Sequence, residues 1–118
     1  MSRILMVVFL TAVACFAQNA PATAVYVVAH IDVTPDHAAE TAALVKQYAA
    51  DSKKDKGIVR IEAILQDGRT NHFTIVEVWQ TRAAFEAHTA LPHTVQYREK
   101  LHPYLGSPYD ERIHGMIP

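Results

Sequence analysis

The sequence predicts an α+β fold with the element order β-α-β-β-α-β. Apolar residues alternate with a period of two over residues 25–33, 58–66 and 71–80, as in half-buried strands. A stripe of apolar residues at helical spacing separates the first two stretches. Asp67-Gly68 is a hairpin signal between the second and third, so those two strands should pair antiparallel. This order is that of the ferredoxin-like arrangement, a four-stranded antiparallel sheet with the helices on one face.

The first half of this pattern is a strand followed by a helix. Val25 to Val33 is rich in β-branched residues, and each of its odd positions is apolar. Thr34-Pro35-Asp36 supplies a hydroxyl cap, a proline at the first helical position and an acid in the first turn. The helix should run to about Ser52 and end before Gly57, with three lysines as a solvated end. Its predicted buried stripe contains Thr41, Leu44, Val45, Tyr48 and Ala49.

The second half contains the hairpin, a broken helix and a last strand. Thr81 should cap the second helix, and Leu91-Pro92 should interrupt it. A further helical piece is predicted from His93 to about His102. The last strand is predicted from Tyr109 to Ile117.

Residues 1–17 are typical of a secretory signal peptide. One positive charge at Arg3 is followed by an apolar run from Ile4 to Phe16 that is too short for a comfortable membrane span. Residues 18–24 then form a linker, and residues 25–118 form the domain. The only cysteine is Cys15, so cleavage after Ala17 would leave no thiol, while a lipoprotein signal would lipidate Cys15 instead. Either route predicts a secreted or periplasmic protein.

The charge balance gives no case for a nucleic-acid partner. The whole chain carries a formal charge of -1, and without Arg3 ten basic residues face 12 acidic ones. About a hundred residues can bury one core, and domains of this size often gain stability by dimerising. Four predicted strand residues are too apolar for a sheet face in contact with water: Val28, Ile64, Phe73 and Ile75. We therefore expect a homodimer, a dimeric α/β barrel in which two sheets pack face to face.

Glu77 is the polar residue in an otherwise apolar strand. Phe73, Ile75, Glu77 and Trp79 share one face, while Thr74, Val76 and Val78 share the other, which we expect to pack under the helices. A buried glutamate without a partner is costly, and its pKa would rise. We expect Glu77 to pair with Arg60 or Arg112 somewhat more readily than to act in catalysis.

His88 and His93 are the histidines with a functional pattern. On a continuous helix they would be roughly 140° apart, although Pro92 changes that by breaking the helix. No cysteine, His-x-x-x-His spacing or nearby aspartate completes a site around this pair, so the sequence supports metal binding only weakly and we expect no metal site. Surface or interface hydrogen bonding is the default for four of the other five histidines, which are His37, His72, His102 and His114.

From Val25 to about Ile117 the chain resembles the antibiotic biosynthesis monooxygenase family. The resemblance rests on Phe73-x-x-x-Glu77-x-Trp79, on Ala84-Phe85-Glu86-Ala87-His88 and on the Leu91-Pro92-His93 break. These small dimeric ferredoxin-like proteins include cofactor-independent quinol and anthrone oxygenases. A secretion signal departs from the usual cytoplasmic member.

The resemblance implies a pocket between sheet and helices, near Trp79, His88 and His93. It implies oxygenation of a dihydroxyarene by dioxygen without flavin or metal, which is feasible because a deprotonated quinol can pass an electron to dioxygen inside a dry pocket. The expected catalytic residues are His88 or His93 as base, since imidazole titrates near neutral pH, with Glu77 or Tyr97 orienting the substrate or the histidine. The expected substrate-binding residues are Trp79, Phe85, Tyr97, Phe73 and His30.

Two alternatives remain open at this point. The same fold serves haem-degrading monooxygenases, with a histidine ligand and a tryptophan over the porphyrin. The other alternative is a non-catalytic periplasmic dimer that binds a small ligand, since fold-level analogy does not establish function.

Overall fold

The computed structural model describes residues 20–118. The predicted signal peptide, Cys15 and residues 18 and 19 of the predicted linker lie outside the described residues. Within them the strands are β1 (Val25–Asp32), β2 (Ile58–Leu65), β3 (His72–Trp79) and β4 (Asp110–His114). The α-helices are α1 (Ala38–Ser52), α2 (Arg82–Thr89) and α3 (Pro92–Leu101), and the order along the chain is β1-α1-β2-β3-α2-α3-β4. The strands form one antiparallel sheet in the order β2-β3-β1-β4. This is the ferredoxin-like fold expected from the sequence.

The element boundaries follow the predicted signals except at the start of α1 and at the end of β4. Pro35–His37 forms a single 3₁₀ turn before α1, and Thr34 makes no side-chain capping bond there. Thr81 does cap α2, because its hydroxyl accepts a hydrogen bond from the backbone N–H of Ala84 at 3.1 Å. β4 ends at His114, which is earlier than the predicted Ile117.

The predicted orientation of β3 is wrong. Phe73, Ile75, Glu77 and Trp79 face the helices and are buried, whereas Thr74 and Val76 on the opposite face are only half-buried. The reason is that α1 and α2 supply polar partners for Glu77, so this strand can bury a carboxylate.

Two hydrophobic groups fill the space between sheet and helices. The larger group includes Ile31, Phe73, Ile75, Tyr97 and Leu101, and the smaller consists of Val27, Trp79 and Phe85. Of the four residues taken as evidence for sheet-to-sheet dimerisation, Phe73 and Ile75 therefore belong to the core. Val28 is half-buried and Ile64 is 50% exposed, so these two are available on the open face. None of the helices in residues 20–118 combines the length and the apolar character needed to cross a bilayer.

Candidate active site

A cluster of polar side chains lies at one end of the interior between the sheet and the helices. It is built from five elements: α1, the turn after it, β3, α2 and α3. We define this polar cluster as Tyr48, Asp55, Glu77, His88 and His93.

The break between α2 and α3 brings His88 and His93 together. α2 ends at Thr89 and α3 begins at Pro92, so the two histidines lie on separate helices rather than on opposite sides of one. Both reach the same carboxylate oxygen: the Asp55 Oδ2 lies 2.6 Å from Nδ1 of His88 and 2.7 Å from Nε2 of His93. An aspartate therefore joins this pair through tertiary contacts, although none lies near it in the sequence.

Gly57 allows the turn that carries Asp55 to approach α2. Its φ of 87° lies in the left-handed region, and a Cβ at this position would lie 2.5 Å from the Cβ of Ala84. The backbone carbonyl of Gly57 also accepts a hydrogen bond from the N–H of Gln80 at 2.8 Å. The turn is thus held against the start of α2, two residues from Asp55.

The other nitrogen of His88 faces Tyr48 and Glu77. The Tyr48 hydroxyl lies 2.7 Å from Nε2 of His88 and 3.1 Å from Oε1 of Glu77, and Glu77 Oε1 lies 3.4 Å from the same nitrogen. Glu77 and His88 are 1% and 2% exposed, so these contacts are shielded from solvent. The predicted pairing of Glu77 with Arg60 or Arg112 is wrong, since Glu77 faces the helices and the exposed Arg112 pairs with Asp110.

Burial favours the neutral forms of these groups. Loss of hydration raises the pKa of Glu77 to about 7, although the hydrogen bond from Tyr48 opposes this change. Loss of hydration also lowers the pKa of His88, against the opposing effect of Asp55. Burial raises the pKa of Tyr48, so its hydroxyl stays protonated.

The hydrogen bonds allow a proton to move through Tyr48. With Glu77 ionised, the Tyr48 hydroxyl donates to Glu77 and accepts from the Nε2–H of His88. With Glu77 protonated, the carboxyl group donates to Tyr48, and Tyr48 donates to Nε2 of a neutral His88. The two arrangements differ only in which group holds the proton.

Aromatic rings enclose the polar cluster. The Trp79 ring lies 4.4 Å from the His88 ring between centroids, and Phe85 lies 6.3 Å from each of them. On the opposite side the Tyr97 ring stacks on Tyr48 at 4.0 Å. The residues expected as pocket walls are therefore brought together, but Trp79 and Phe85 are in direct packing contact around the histidine.

A groove between α1 and α3 reaches this cluster from solvent. Its volume is about 70 Å³, and Tyr48, His93 and Tyr97 form its inner wall. The outer wall consists of Leu44, Gln47, Asp51, Gln96 and Lys100. Ligand pockets usually measure about 300–1,000 Å³, so this groove is small for an aromatic ligand in the present conformation.

Two of the expected substrate-binding residues lie elsewhere. Phe73 is in the core, four residues and roughly 13 Å along β3 from Glu77. His30 lies on the open face of the sheet, where its Nδ1 is 3.1 Å from the Thr74 hydroxyl. Neither residue reaches the polar cluster.

Sequence reasoning did not assign Tyr48 and Asp55 to the site. Tyr48 was placed correctly in the buried stripe of α1, and its hydroxyl was the available sign that it needs a polar partner. Asp55 lies within the lysine-rich segment after α1, which the sequence pattern predicts to be a solvated helix end. Its half-buried position became visible only once α2 and α3 were in place.

Fold and site together define a small ferredoxin-like protein with a buried histidine–carboxylate–tyrosine cluster. A family model for antibiotic biosynthesis monooxygenase matches residues 24–100. The chain therefore belongs to the antibiotic biosynthesis monooxygenase family, as the resemblance indicated.

Related proteins extend this result at the level of fold. An uncharacterised protein of Synechocystis is 28% identical over 90 residues; these are 76% of this chain and only 61% of that protein. A structure of an antibiotic biosynthesis monooxygenase has a TM-score of 0.76 at 16% identity, covering 80% of this chain and 99% of the other. Rv0793 from Mycobacterium tuberculosis has a TM-score of 0.75 at 19% identity, with coverages of 80% and 96%.

A further structure with the same fold is a variant of SnoaB, described as a cofactor-independent oxygenase from Streptomyces nogalater. It has a TM-score of 0.72 at 20% identity and covers 80% of this chain and 94% of its own. At such identities the similarity shows the fold.

Proposed function

We propose that this protein is a cofactor-independent monooxygenase that acts on a quinol or another dihydroxyarene with dioxygen. Family membership and the description of SnoaB as a cofactor-independent oxygenase support oxygenase chemistry on this fold. The observation that carries the proposal is the arrangement of His93: Asp55 holds its Nε2, while its buried Nδ1 has no hydrogen-bond partner within residues 20–118.

His93 has the arrangement of a general base. Its Nε2–H donates to Asp55 at 2.7 Å, which leaves Nδ1 as the unprotonated acceptor. That Nδ1 is buried and has no hydrogen-bond partner among residues 20–118. A carboxylate that orients one imidazole nitrogen leaves the other free to accept a proton, as in hydrolase triads. His93 also borders the groove, and its side chain is 24% exposed.

His88 is too buried to contact a substrate without a rearrangement. It connects instead to Asp55 on one side and to Tyr48 and Glu77 on the other. We assign it the role of a positioning residue that holds Asp55 in place. Through Tyr48 it also shares a proton with Glu77, so the charge near the substrate can change without solvent entering.

The proposed reaction begins when Nδ1 of His93 removes a proton from a hydroxyl group of the substrate. The resulting anion transfers an electron to dioxygen, and the two radicals combine into a peroxide on the ring. The O–O bond then breaks; one oxygen atom stays on the ring and the other leaves as water. A dihydroxyarene is thereby converted to a hydroxyquinone, and the substrate itself supplies all the electrons that reduce dioxygen.

The groove must widen for such a substrate to reach His93. Three of the side chains in its outer wall, Gln47, Gln96 and Lys100, are long and exposed, so they can change rotamer without opening the core. Trp79 and Phe85 then remain packed behind His88 and limit the entry of water.

The decisive experiment is oxygen uptake by the purified protein with a panel of quinols and dihydroxynaphthalenes, in the presence of a chelator and without added cofactor. We expect uptake that survives chelation and a decrease in kcat/KM of about 100-fold or more in His93→Ala. His102→Ala is the matched control, because His102 is exposed and lies outside the polar cluster.

Other outcomes would direct the assignment elsewhere. Full activity in His93→Ala would contradict the role of His93 as base. Absence of uptake across the panel, combined with a Soret band on addition of haem, would favour a haem-degrading enzyme. Absence of both would favour a non-catalytic ligand-binding dimer.

We also propose that the protein is exported and forms a homodimer through the open sheet face. The leader pattern of residues 1–17 supports export. The apolar residues Val28, Val76 and Ile64 on that face support a dimer. Sedimentation of wild type and Ile64→Asp tests this: we expect a dimer that the charged variant dissociates, and a monomeric wild type would contradict it.

A further inference from the structure

We propose that Asp55, His88 and His93 form a binding site for a divalent first-row transition metal ion such as Zn²⁺. One ligand atom from each residue, the Asp55 carboxylate oxygen, Nδ1 of His88 and Nε2 of His93, lies within 4.8 Å of the other two. The proposal goes beyond the proposed function and does not depend on it.

The ligand types select the class of metal. Two imidazoles and one carboxylate suit Zn²⁺, Fe²⁺ or Co²⁺, whereas Mg²⁺ and Ca²⁺ prefer oxygen atoms alone. Three protein ligands also leave a fourth position of a tetrahedral ion for water or a small anion. The Thr94 hydroxyl, 3.4 Å from Nδ1 of His88, borders that space.

A small displacement would open the cluster enough for an ion. Ligand atoms around a tetrahedral Zn²⁺ are about 3.4 Å apart, because Zn–N and Zn–O bonds are about 2.0–2.2 Å long. Here the separations from Asp55 are 2.6 and 2.7 Å, so each must increase by less than an ångström. Movement of the Asp55 carboxylate, which lies in the turn after α1, changes both separations. His93 can also move, because it lies in the first turn of α3 and is partly exposed.

The groups behind His88 complete the site. A metal ion bound at Nδ1 requires the proton of His88 to reside on Nε2. That N–H donates to Tyr48 at 2.7 Å, and the Tyr48 hydroxyl donates to Glu77 at 3.1 Å. Each donor in this series of hydrogen bonds from His88 to Glu77 then has an acceptor. An ionised Glu77 also stabilises the positive charge of the ion from behind His88. Such support commonly raises metal affinity by about 10–100-fold.

Metal binding would also control the proposed oxygenase, a consequence that rests on the proposed function. An ion on Nε2 of His93 moves the proton of that ring to Nδ1, so His93 can no longer act as a base. The metal-free protein would be the active form and the metal-bound protein the inactive form.

The test is a titration of chelator-stripped protein with Zn²⁺ by calorimetry and with Co²⁺ by visible absorption, both without substrate. We expect one ion per chain and an increase in Tm with bound Zn²⁺. His93→Ala and Asp55→Asn should each weaken binding by about 100-fold or more, and Tyr48→Phe by about 10-fold. His102→Ala should bind as the wild type does.

Two results would overturn the proposal: no binding, or binding that His93→Ala and Asp55→Asn leave unchanged. Circular dichroism of each variant separates loss of a ligand from loss of the fold. Because metal binding is measured without substrate, its result is independent of oxygen uptake. A protein that binds Zn²⁺ without oxygenase activity would contradict only the proposed function, and active protein that binds no metal would contradict only this proposal.

Discussion

The interior between sheet and helices has two ends that are built differently. At one end, Ile31, Phe73 and Leu101 pack with other apolar side chains. At the other, the equally buried Glu77 and His88 are surrounded by Trp79 and Phe85 and joined through Tyr48. One sheet and one set of helices cover both ends.

The comparison shows that burial has opposite consequences at the two ends. Apolar packing stabilises the fold at any pH, because no group there changes charge. At the polar end each buried group needs a partner, and the stability depends on where the protons are. Apolar side chains alone would stabilise this end of the interior without a buried carboxylate. The polar cluster is therefore better explained by a role in proton transfer or binding than by a role in packing.

The largest effect should follow truncation at the apolar end. Ile31 is fully buried, and Ile31→Ala removes its contacts and leaves a cavity. We expect the free energy of unfolding to decrease by about 2–5 kcal/mol, by a similar amount at every pH from 5 to 8. Urea denaturation across this pH range provides the measurement.

Ile117→Ala is the matched control for this substitution, because Ile117 is 94% exposed. It should change stability by less than about 0.5 kcal/mol. A loss in Ile31→Ala that varied strongly with pH would show that the two ends are not independent.

The next effect is a pH dependence at the polar end. The pKa of Glu77 is raised from 4.5 to about 7, so the folded state binds this proton more tightly than the unfolded state. The resulting stabilisation is complete below pH 4.5 and is lost as the pH rises to about 7. Relative to Glu77→Gln, the wild type should therefore lose about 3 kcal/mol over this interval.

His88 contributes with the opposite sign, because its pKa is lowered and protonation at acidic pH destabilises the fold. Comparison of the wild type with Glu77→Gln leaves mainly the contribution of Glu77. Glu62→Gln, an exposed glutamate on β2, is the control. A difference between wild type and Glu77→Gln that stayed constant from pH 4.5 to 7 would contradict the raised pKa.

The fold could be predicted from the sequence because its signals are local. The alternation in three strands, the cap at Thr81 and the hairpin at Asp67-Gly68 each depend on a few neighbouring residues. The break at Pro92 was recognised for the same reason. The face of β3 was assigned wrongly, since a strand buried on one side and half-buried on the other has apolar residues at both sets of positions.

The site was predicted only in part because it is assembled by tertiary contacts. Glu77, His88 and His93 were found because they are polar residues in apolar or interrupted segments. Asp55 lies 33 residues before His88 and 38 before His93, and its short turn resembles any charged helix end. No spacing rule connects such positions, so the grouping of Asp55 with the two histidines could not be predicted from the sequence.

The finest comparison is between two stacked tyrosines, Tyr48 and Tyr97. Both are buried and their rings are 4.0 Å apart. The hydroxyl of Tyr48 contacts Glu77 and His88, whereas that of Tyr97 has no hydrogen-bond partner within residues 20–118. Tyr48→Phe leaves two buried polar groups without their partner, so we expect a loss of about 1–3 kcal/mol in the free energy of unfolding.

Tyr97→Phe should be nearly neutral or slightly stabilising, because it removes a buried hydroxyl that satisfies no other group among the described residues. Both substitutions keep the ring and its stacking, so chemical denaturation of the two variants isolates the value of the hydroxyl. Equal losses in the two variants would mean that the hydrogen bonds through Tyr48 do not stabilise the polar end. Glu77 and His88 would then be held by packing against Trp79 and Phe85 rather than by their hydrogen bonds to Tyr48.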